Sequence, residues 1–342
     1  MNICICGGGN LGHVMAGFLA VHSFCEVSIL TGHPDKWSNE LELIINDSAR
    51  ELQTLRSHIC KISSSPEDVI PLADLVFICL PGPFIRKTLE RIKPYLKRDV
   101  IVGSVVSNTG FFFQAHDIIS EFSIFGFQRV PFICRIKEYG KKAVLLGFKK
   151  SLSVCVENGD GEYIRSLLET LLQTPVRLLN NYYEATLSNS NPLLHPSRLY
   201  TMWNDWSPSV TYERVPLFYS EWTDDASQLL IDMDAELQEL LVRLSVNRAN
   251  IPPILDYYES VDAKTLTYKI KSIPAFKEIL SPMKQLGEGG FVPDLNSRYF
   301  TEDFEYGTFF IRETARRNDL ATPKIDMVCK WYENIKNLNS QN

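Results

Sequence analysis

The first half of the chain alternates short apolar runs with amphipathic stretches. The apolar runs have the length of buried strands, and the amphipathic stretches have helical spacing. The runs that predict parallel strands are residues 2–6, 26–30, 75–80 and 100–102, with later strands of the same sheet at 143–147, 152–156 and 176–179. The stretches that predict helices are residues 10–22, 83–92 and 161–173. This alternation is typical of a doubly wound α/β domain, which we place at residues 1–181.

The second half has a helical pattern instead. Apolar residues form one stripe along residues 223–245, and acidic residues lie on the opposite face. The stripe consists of Leu229, Leu230, Met233, Leu237, Leu240, Leu241 and Leu244. Shorter helices are predicted at residues 254–260, 264–271, 308–318 and 323–336. We therefore predict a mostly α-helical domain over residues 182–342.

Composition and charge narrow the class of function. A chain of 342 residues, 45% of them hydrophobic and 22% charged, is typical of a globular protein with two domains. Its net charge of −6 argues against nucleic-acid binding, which needs a concentrated basic face. The apolar runs are shorter than the roughly 18 residues of a membrane span, and the strand pattern starts at residue 2. We therefore expect neither a membrane segment nor a signal peptide.

The eight cysteines predict reduced thiols rather than disulfides or a zinc site. They form no C-x-x-C pair and no cysteine–histidine cluster. They are Cys4, Cys6, Cys25, Cys60, Cys79, Cys134, Cys155 and Cys329. We expect a cytoplasmic protein without a metal, whose partners are small molecules rather than nucleic acid or a membrane, with a homodimer left open.

A glycine-rich loop joins the first predicted strand to the first predicted helix. The loop, Gly7 to Gly12, has the spacing G-x-G-x-x-G. In this context Gly7 permits a tight turn, Gly9 lets the backbone approach a pyrophosphate, and Gly12 lets the helix pack on the strand. The helix N-terminus then offers free N–H groups to the phosphates. The alternative is a purely structural glycine turn. The predicted cofactor-binding residues at this edge are Gly7, Gly9, Asn10, Leu11, Gly12 and Pro81, the last directly after the third predicted strand.

The end of the second predicted strand favours NADPH over NADH. No acidic residue follows Thr31 directly, where a carboxylate would bind the ribose 2′-hydroxyl of NAD and repel the 2′-phosphate of NADP. Thr31, His33 and Lys36 can instead hold that phosphate. Asp35 lies a few residues late but can still reach the ribose, and His33 and Lys36 can equally be solvated loop residues. We therefore expect NADP or NAD, with NADPH favoured.

A dehydrogenase also needs an acid–base group beside the carbon that exchanges hydride. Of the six histidines, only His195 lies in the predicted helical domain, just after the domain junction. At that place a histidine can face the nicotinamide. The alternative is a structural histidine that caps or packs, which is the commoner role.

A second polar cluster follows at residues 296–303. Arg298 can bind a carboxylate through two parallel hydrogen bonds. Asp303 can hold an imidazole in one tautomer and stabilise its cation. The alternatives are structural, because Thr301 or Asp303 can cap the next helix and Arg298 can pair with Glu302.

Together these motifs resemble the octopine/opine dehydrogenase family over nearly the whole chain. Four stretches match its motifs in order: Cys4 to Asn10, Cys134 to Gly140, Leu194-His195-Pro196 and Arg298 to Asp303. The resemblance implies a Rossmann domain followed by a helical opine dehydrogenase domain with a His–Asp pair. It implies that His195 is the general acid–base, that Asp303 orients it, that Arg298 binds a substrate carboxylate, and that Cys134 lies near the substrate pocket.

The activity implied by the resemblance is reductive condensation of an amino acid with a 2-oxo acid, with pyruvate expected as the 2-oxo acid. The chain departs from the family at Asn189 and Asn191, which replace bulkier residues, and at Glu305-Tyr306-Gly307, where a proline-containing segment is common. These departures leave the amino acid open, and Asn191 joins the expected substrate-binding residues. Two other functions remain open: reduction of a 2-oxo acid alone, as in 2-hydroxy-acid dehydrogenases and ketopantoate-type reductases, and catalytically silent nucleotide sensing.

Overall fold

The computed structural model describes residues 1–47, 51–107, 110–287 and 289–340. The chain forms two compact units, Met1–Thr186 and Leu187–Asn342. The first unit includes the short helix at Tyr182–Thr186, which packs against the strands that precede it.

The first unit alternates strands and helices along the chain. Its strands are β1 (Asn2–Cys6), β2 (Glu26–Leu30), β3 (Glu40–Ile45), β4 (Gln53–His58), β5 (Lys61–Ser63), β6 (Leu75–Ile78), β7 (Ile101–Ser104), β8 (Ser123–Phe127), β9 (Phe132–Glu138), β10 (Lys142–Phe148), β11 (Leu152–Glu157) and β12 (Val176–Leu178). Its helices are α1 (Asn10–Leu19), α2 (Pro66–Val69), α3 (Gly82–Ile92), α4 (Phe111–Ile119), α5 (Gly161–Leu172) and α6 (Tyr182–Thr186).

The main sheet has the strand order β12-β11-β8-β7-β6-β1-β2-β5. The strands from β8 to β5 are parallel, and β11 runs antiparallel to β8. From β1 the chain proceeds first to β2 and β5 and then returns to β6 on the other side. The carboxyl ends of β1 and β6 therefore border the point where the strand order reverses, which is where open α/β sheets bind ligands.

Both faces of the main sheet are covered, which confirms the doubly wound α/β prediction. Ile3 and Ile5 of β1 pack with α1, α5 and a second sheet. Cys4 and Cys6 point to the opposite face and pack with α2, α3 and α4. The strands read as continuous apolar runs because each face is buried.

The assignment of residues 143–147 to the main sheet is wrong. These residues lie in β10, which pairs with β3 and β9 in a separate sheet of order β4-β3-β10-β9. One face of this second sheet packs against α1. Apolar spacing identifies a strand and its buried face, but pairing partners are chosen by long-range packing that the spacing does not encode.

The second unit is mostly helical, as the sequence predicts. Its helices are α7 (Asn191–Trp203), α8 (Asp224–Arg243), α9 (Ile254–Tyr257), α10 (Ala263–Ser272), α11 (Arg298–Thr301), α12 (Phe309–Arg317) and α13 (Pro323–Ser340). A π-helix at Phe304–Thr308 joins α11 to α12, and β13 (Met283–Gln285) pairs with β14 (Phe291–Pro293). Within the described residues, every helix is too short or too polar to span a lipid bilayer.

Helix α8 shows how local sequence sets an element. Its N-cap is Thr223, whose side chain accepts a hydrogen bond from the Ala226 backbone N–H at 3.3 Å. Asp224 and Asp225 lie in the first turn and Arg243 in the last, which complements the helix dipole. The apolar stripe of α8 packs against α7, α10 and α13 and forms the centre of this unit.

Candidate active site

The glycine loop of the first unit has an open side at the start of α1. Gly7 has φ of 128°, a conformation that L side chains rarely adopt, and a Cβ at Gly12 would overlap the Gly7 carbonyl oxygen. A Cβ at Gly9, by contrast, would meet nothing within 4 Å. Gly9 is the N-cap of α1, no side chain caps this helix, and its first turn has no acidic residue. The helix start therefore suits the phosphates of a dinucleotide.

Backbone groups of the stretch from Cys134 to Gly140 donate hydrogen bonds to side chains at the start of α1. The Ile136 backbone N–H donates to Asn10 Oδ1 at 2.8 Å. The Gly140 N–H donates to His13 Nε2 at 2.7 Å, so the remaining ring proton lies on Nδ1, which donates to the Gly9 carbonyl at 2.9 Å. His13 is completely buried and lies between β9 and the loop. The sequence analysis did not assign His13 this role.

A pocket lies beside the loop at the carboxyl ends of β1, β2 and β6. The residues that line it are Cys6, Gly7, Gly8, Leu30, Thr31, Gly32, Ser64, Leu80, Thr88 and Arg91. Arg91 on α3 donates from Nη2 to the Ser64 carbonyl at 2.9 Å. The cation among the residues that line this pocket is therefore contributed by α3. It was not predicted from the sequence, because Arg91 is distant in the chain from the end of β2.

Other predicted cofactor residues lie around this edge. His33 and Lys36 are exposed, the latter in the 3-10 turn Pro34–Lys36 that also contains Asp35. Neither side chain is among those that line the pocket within the described part of the chain. Pro81 is the exposed N-cap residue of α3, and Leu11 is half-buried against the core.

Cys134 is buried in the core of the first unit. Its thiol contacts the Phe132 carbonyl at 3.6 Å, and burial raises its pKa to about 12. Cys134 is therefore a neutral thiol at physiological pH, and its expected place near the substrate stays a prediction.

In the second unit, His195 forms short hydrogen bonds at both ring nitrogens. Nδ1 is 2.7 Å from Asp303 Oδ2, and Nε2 is 2.7 Å from the Tyr219 hydroxyl. A carboxylate only accepts hydrogen bonds, so Nδ1 carries a proton and Nε2 is the nitrogen that can gain or lose one. The side chain of His195 is 8% exposed and that of Asp303 14%, so water screens this pair weakly. The structure thus brings together two residues that are 108 positions apart.

The proline after His195 explains how Asp303 reaches it. Pro196 lies inside α7 and has no N–H to donate to the carbonyl of Pro192, one turn earlier. That carbonyl accepts instead from Thr308 Oγ1 at 2.6 Å. A Cβ at Gly307 would overlap Pro192, so the π-helix lies directly on the first turn of α7. Asp303 is the N-cap residue of this π-helix, but its side chain bonds His195 rather than the helix.

Two tyrosines surround the imidazole. The Tyr299 ring lies 4.5 Å from the His195 ring, centre to centre, and the Tyr219 hydroxyl is hydrogen-bonded to Nε2 of His195. Tyr219 is 4% exposed and Tyr299 is half-buried. Burial raises the pKa of both phenols, so both stay protonated. Neither residue was predicted from the sequence to contact His195, because nothing in their local spacing points to it.

Arg198 holds the segment that carries Tyr219. It lies one turn after His195 on α7 and is buried, which lowers its pKa to about 10. Its Nε donates to the Phe218 carbonyl at 3.2 Å and its Nη2 to the Glu221 carbonyl at 2.7 Å. The side chain of Glu221 in turn accepts from the Leu217 N–H at 2.8 Å. The turn that positions Tyr219 is therefore fixed to the same helix as His195.

Arg298 does not contact His195. Its guanidinium donates to both carboxylate oxygens of Glu302, at 2.9 and 3.1 Å, and its side chain is 83% exposed whereas that of Glu302 is 15% exposed. The structure thus contains the Arg298–Glu302 pair, which was the structural alternative to carboxylate binding by Arg298. The Arg298 guanidinium also faces solvent. Asn191 is half-buried in the first turn of α7, four residues before His195.

Comparisons with known proteins find relatives over nearly the whole chain. Residues 178–336 match the family model of the NAD/NADP octopine/nopaline dehydrogenase α-helical domain. The chain is 27% identical to octopine dehydrogenase of Pecten maximus, over 97% of this chain and 90% of that protein. It is also 27% identical to tauropine dehydrogenase of Arabella iricolor, over 97% of this chain and 91% of that protein.

The chain is thus similar to octopine and opine dehydrogenases over nearly its whole length. Solved structures agree over both units. Octopine dehydrogenase with NADH and L-arginine superimposes with a TM-score of 0.85, and with NADH and pyruvate with a TM-score of 0.84. Each match has 26% sequence identity and covers 98% of this chain and 89% of the other. The protein is therefore an NAD(P)-dependent oxidoreductase with a Rossmann-like unit and the helical unit of this family.

Proposed function

We propose that the protein joins the amine of an amino acid to the carbonyl carbon of a 2-oxo acid and reduces the resulting imine. The observation that carries this proposal is His195, buried between a carboxylate at Nδ1 and a hydroxyl at Nε2. Pyruvate is the expected 2-oxo acid, because a structural neighbour binds it together with NADH. Sequence similarity does not identify the amino-acid substrate, because the octopine and tauropine enzymes have the same sequence identity to this chain.

In this proposal His195 is the general acid–base that donates and accepts the proton. Condensation needs a proton on the departing oxygen, and oxidation in the reverse direction needs a base. The carboxylate of Asp303 stabilises the imidazolium and keeps the reactive lone pair on Nε2. Burial of the pair strengthens this interaction because the local dielectric is low.

Arg298 is proposed to bind a carboxylate of the substrates. Its guanidinium is exposed and its partner Glu302 is largely covered, so a substrate carboxylate approaching from solvent meets the cation first. Asn191 and Cys134 remain proposed substrate-binding residues.

The cofactor is proposed to be NADPH in preference to NADH. The glycine loop would hold the pyrophosphate at Gly7, Gly9 and Gly12, and NAD(P)H when bound supplies the hydride. No acidic side chain follows Thr31, and Arg91 adds a cation to the pocket at this strand end. We expect Arg91→Ala to weaken NADPH binding by about tenfold more than NADH binding, since it removes a charge-assisted hydrogen bond. Fluorescence titration of both cofactors, with Arg98→Ala as the control, tests this without turnover.

The reaction class is tested by the oxidation of NAD(P)H with pyruvate and each amino acid in turn. We expect turnover to require both substrates. Full-rate oxidation with pyruvate alone would show a 2-hydroxy-acid dehydrogenase instead. Cofactor binding without turnover for any pair would show a nucleotide sensor.

Two variants test the assigned residues in the same assay. His195→Ala is expected to lower kcat by roughly 10²–10⁴-fold, whereas the exposed His58→Ala is expected to leave it unchanged. Arg298→Ala is expected to raise the KM of one carboxylate substrate by about tenfold or more. Its matched control is Arg317→Ala, which breaks another exposed pair four residues apart, Arg317–Glu313. An unchanged KM in Arg298→Ala would show that Arg298 has a structural role and does not bind a substrate carboxylate.

A further inference from the structure

We propose that Tyr219 transfers the proton between His195 and the substrate in the reaction proposed above. This inference rests on that proposed function and adds a catalytic residue to it. The reason is the position of its hydroxyl. Asp303 binds Nδ1 of His195, and the Tyr219 hydroxyl is hydrogen-bonded to Nε2, the other ring nitrogen. A substrate therefore meets the Tyr219 hydroxyl where it would otherwise meet Nε2.

The hydrogen bonds of Tyr219 are compatible with both protonation states of His195. With neutral His195, the Tyr219 O–H donates to Nε2. With the imidazolium, Nε2–H donates to the Tyr219 oxygen, and the phenolic proton is released toward a second acceptor. In the proposed step that second acceptor is the substrate. A hydroxyl can switch in this way because it both donates and accepts.

The position of the Tyr219 ring is fixed by packing. The ring stacks on Phe276 at 4.1 Å with an interplanar angle of 15°, and it lies nearly parallel to Trp222 at 6.2 Å. Arg198 and Glu221 fix the backbone on either side, as described above. A tyrosine that merely filled space would not need its hydroxyl at 2.7 Å from a buried imidazole.

Addition of the amine to the carbonyl carbon converts the carbonyl oxygen into the hydroxyl of a carbinolamine. Tyr219 gives its O–H proton to that hydroxyl while its own oxygen takes the Nε2 proton of the His195 imidazolium. The C–O bond breaks, water leaves, and the nitrogen lone pair forms the C=N bond. His195 ends neutral, Tyr219 is unchanged, and the protonated imine carbon accepts the hydride that NAD(P)H supplies. Burial raises the pKa of Tyr219, so the concerted exchange avoids a free phenolate.

Tyr219→Phe tests the transfer, and Tyr258→Phe is its control. Tyr258 is another buried tyrosine of the same unit, 6% exposed. We expect Tyr219→Phe to lower kcat by about 10²-fold with little change in KM and in cofactor binding, and Tyr258→Phe to change kcat little. A kcat within threefold of the parent for Tyr219→Phe would show that His195 acts on the substrate directly and would overturn the proposal.

A double variant separates transfer from an independent effect. If Tyr219 and His195 act in one path, Tyr219→Phe combined with His195→Ala loses no more than His195→Ala alone. Multiplied losses would overturn the proposal, because Tyr219 would then act without His195. Failure of the proposed function gives a different result, since the parent itself would lack turnover with every pair of substrates.

Discussion

Two buried histidines, one in each unit, use both ring nitrogens in hydrogen bonds, yet their partners differ in kind. His13 bonds the carbonyl of Gly9 and the N–H of Gly140. His195 bonds the carboxylate of Asp303 and the hydroxyl of Tyr219. Backbone carbonyl and N–H groups act neither as acids nor as bases at physiological pH, whereas a carboxylate stabilises an imidazolium and a hydroxyl can pass on its proton. Burial alone therefore does not distinguish a structural histidine from an acid–base residue, but the partners do.

The largest effect is expected from Asp303→Asn. The amide can offer an N–H instead of an oxygen to Nδ1, which favours the wrong tautomer of His195. We expect kcat to fall by roughly 10²–10⁴-fold, with KM and cofactor affinity nearly unchanged. Steady-state kinetics measure this, and Asp256→Asn, an exposed residue of the same unit, is the control. A loss confined to KM would contradict the assigned role.

His13→Ala is expected to affect stability rather than chemistry. The variant leaves the Gly9 carbonyl and the Gly140 N–H without their partner and removes a ring stacked on Trp37 at 4.0 Å. We expect the first unit to lose about 2–4 kcal/mol of unfolding free energy. Thermal unfolding measures this, and His58→Ala, which changes an exposed histidine of the same unit, should shift Tm much less. A stable His13→Ala protein with strongly reduced kcat would remove the contrast between the two histidines.

The same contrast predicts a pH dependence of stability. Burial lowers the pKa of His13 from its usual value, because the charged imidazolium loses its hydration. A protonated Nε2 also could not accept the hydrogen bond from the Gly140 N–H. The unfolded chain then binds more protons between the folded pKa and about 6.5. The contribution of His13 is thus complete above about pH 6.5 and is lost as the pH falls toward the folded pKa. Denaturant unfolding at pH 7.5 and 5.5 should show a larger gap between parent and His13→Ala at pH 7.5. A gap that grows in acid would contradict this sign.

The smallest effect is expected from Thr308→Val. The substitution removes the donor to the Pro192 carbonyl and loosens the π-helix that positions Asp303. We expect a loss of about 1–2 kcal/mol in stability and a fall of severalfold in kcat. Thr308→Ser keeps the hydroxyl and should retain most of both quantities. A loss in Thr308→Ser without one in Thr308→Val would assign the effect to packing of the methyl group, which only Thr308→Ser removes.

The sequence by itself determined the features that depend on local order. The glycine loop between β1 and α1, the apolar strands of the main sheet and the stripe of α8 are each encoded within about 20 consecutive residues or fewer. Resemblance added His195 and Asp303, because their motifs occur in order along the chain. Helix α7 was not among the predicted helices, and it contains Pro192 and Pro196, a residue type that usually interrupts a helix.

Only the tertiary structure decided which residues meet. It assigned β10 to a second sheet, placed Arg91 in the pocket at the end of β2, and brought Tyr219 to His195. It also brought the Thr308 hydroxyl, 116 residues away, into a hydrogen bond with the Pro192 carbonyl. The spacing of hydrophobic residues indicates which face of a helix or strand is buried. It carries no information about which other element covers that face. Long-range partners are selected by the packing of the whole unit, and the roles of His13 and His195 follow from those partners.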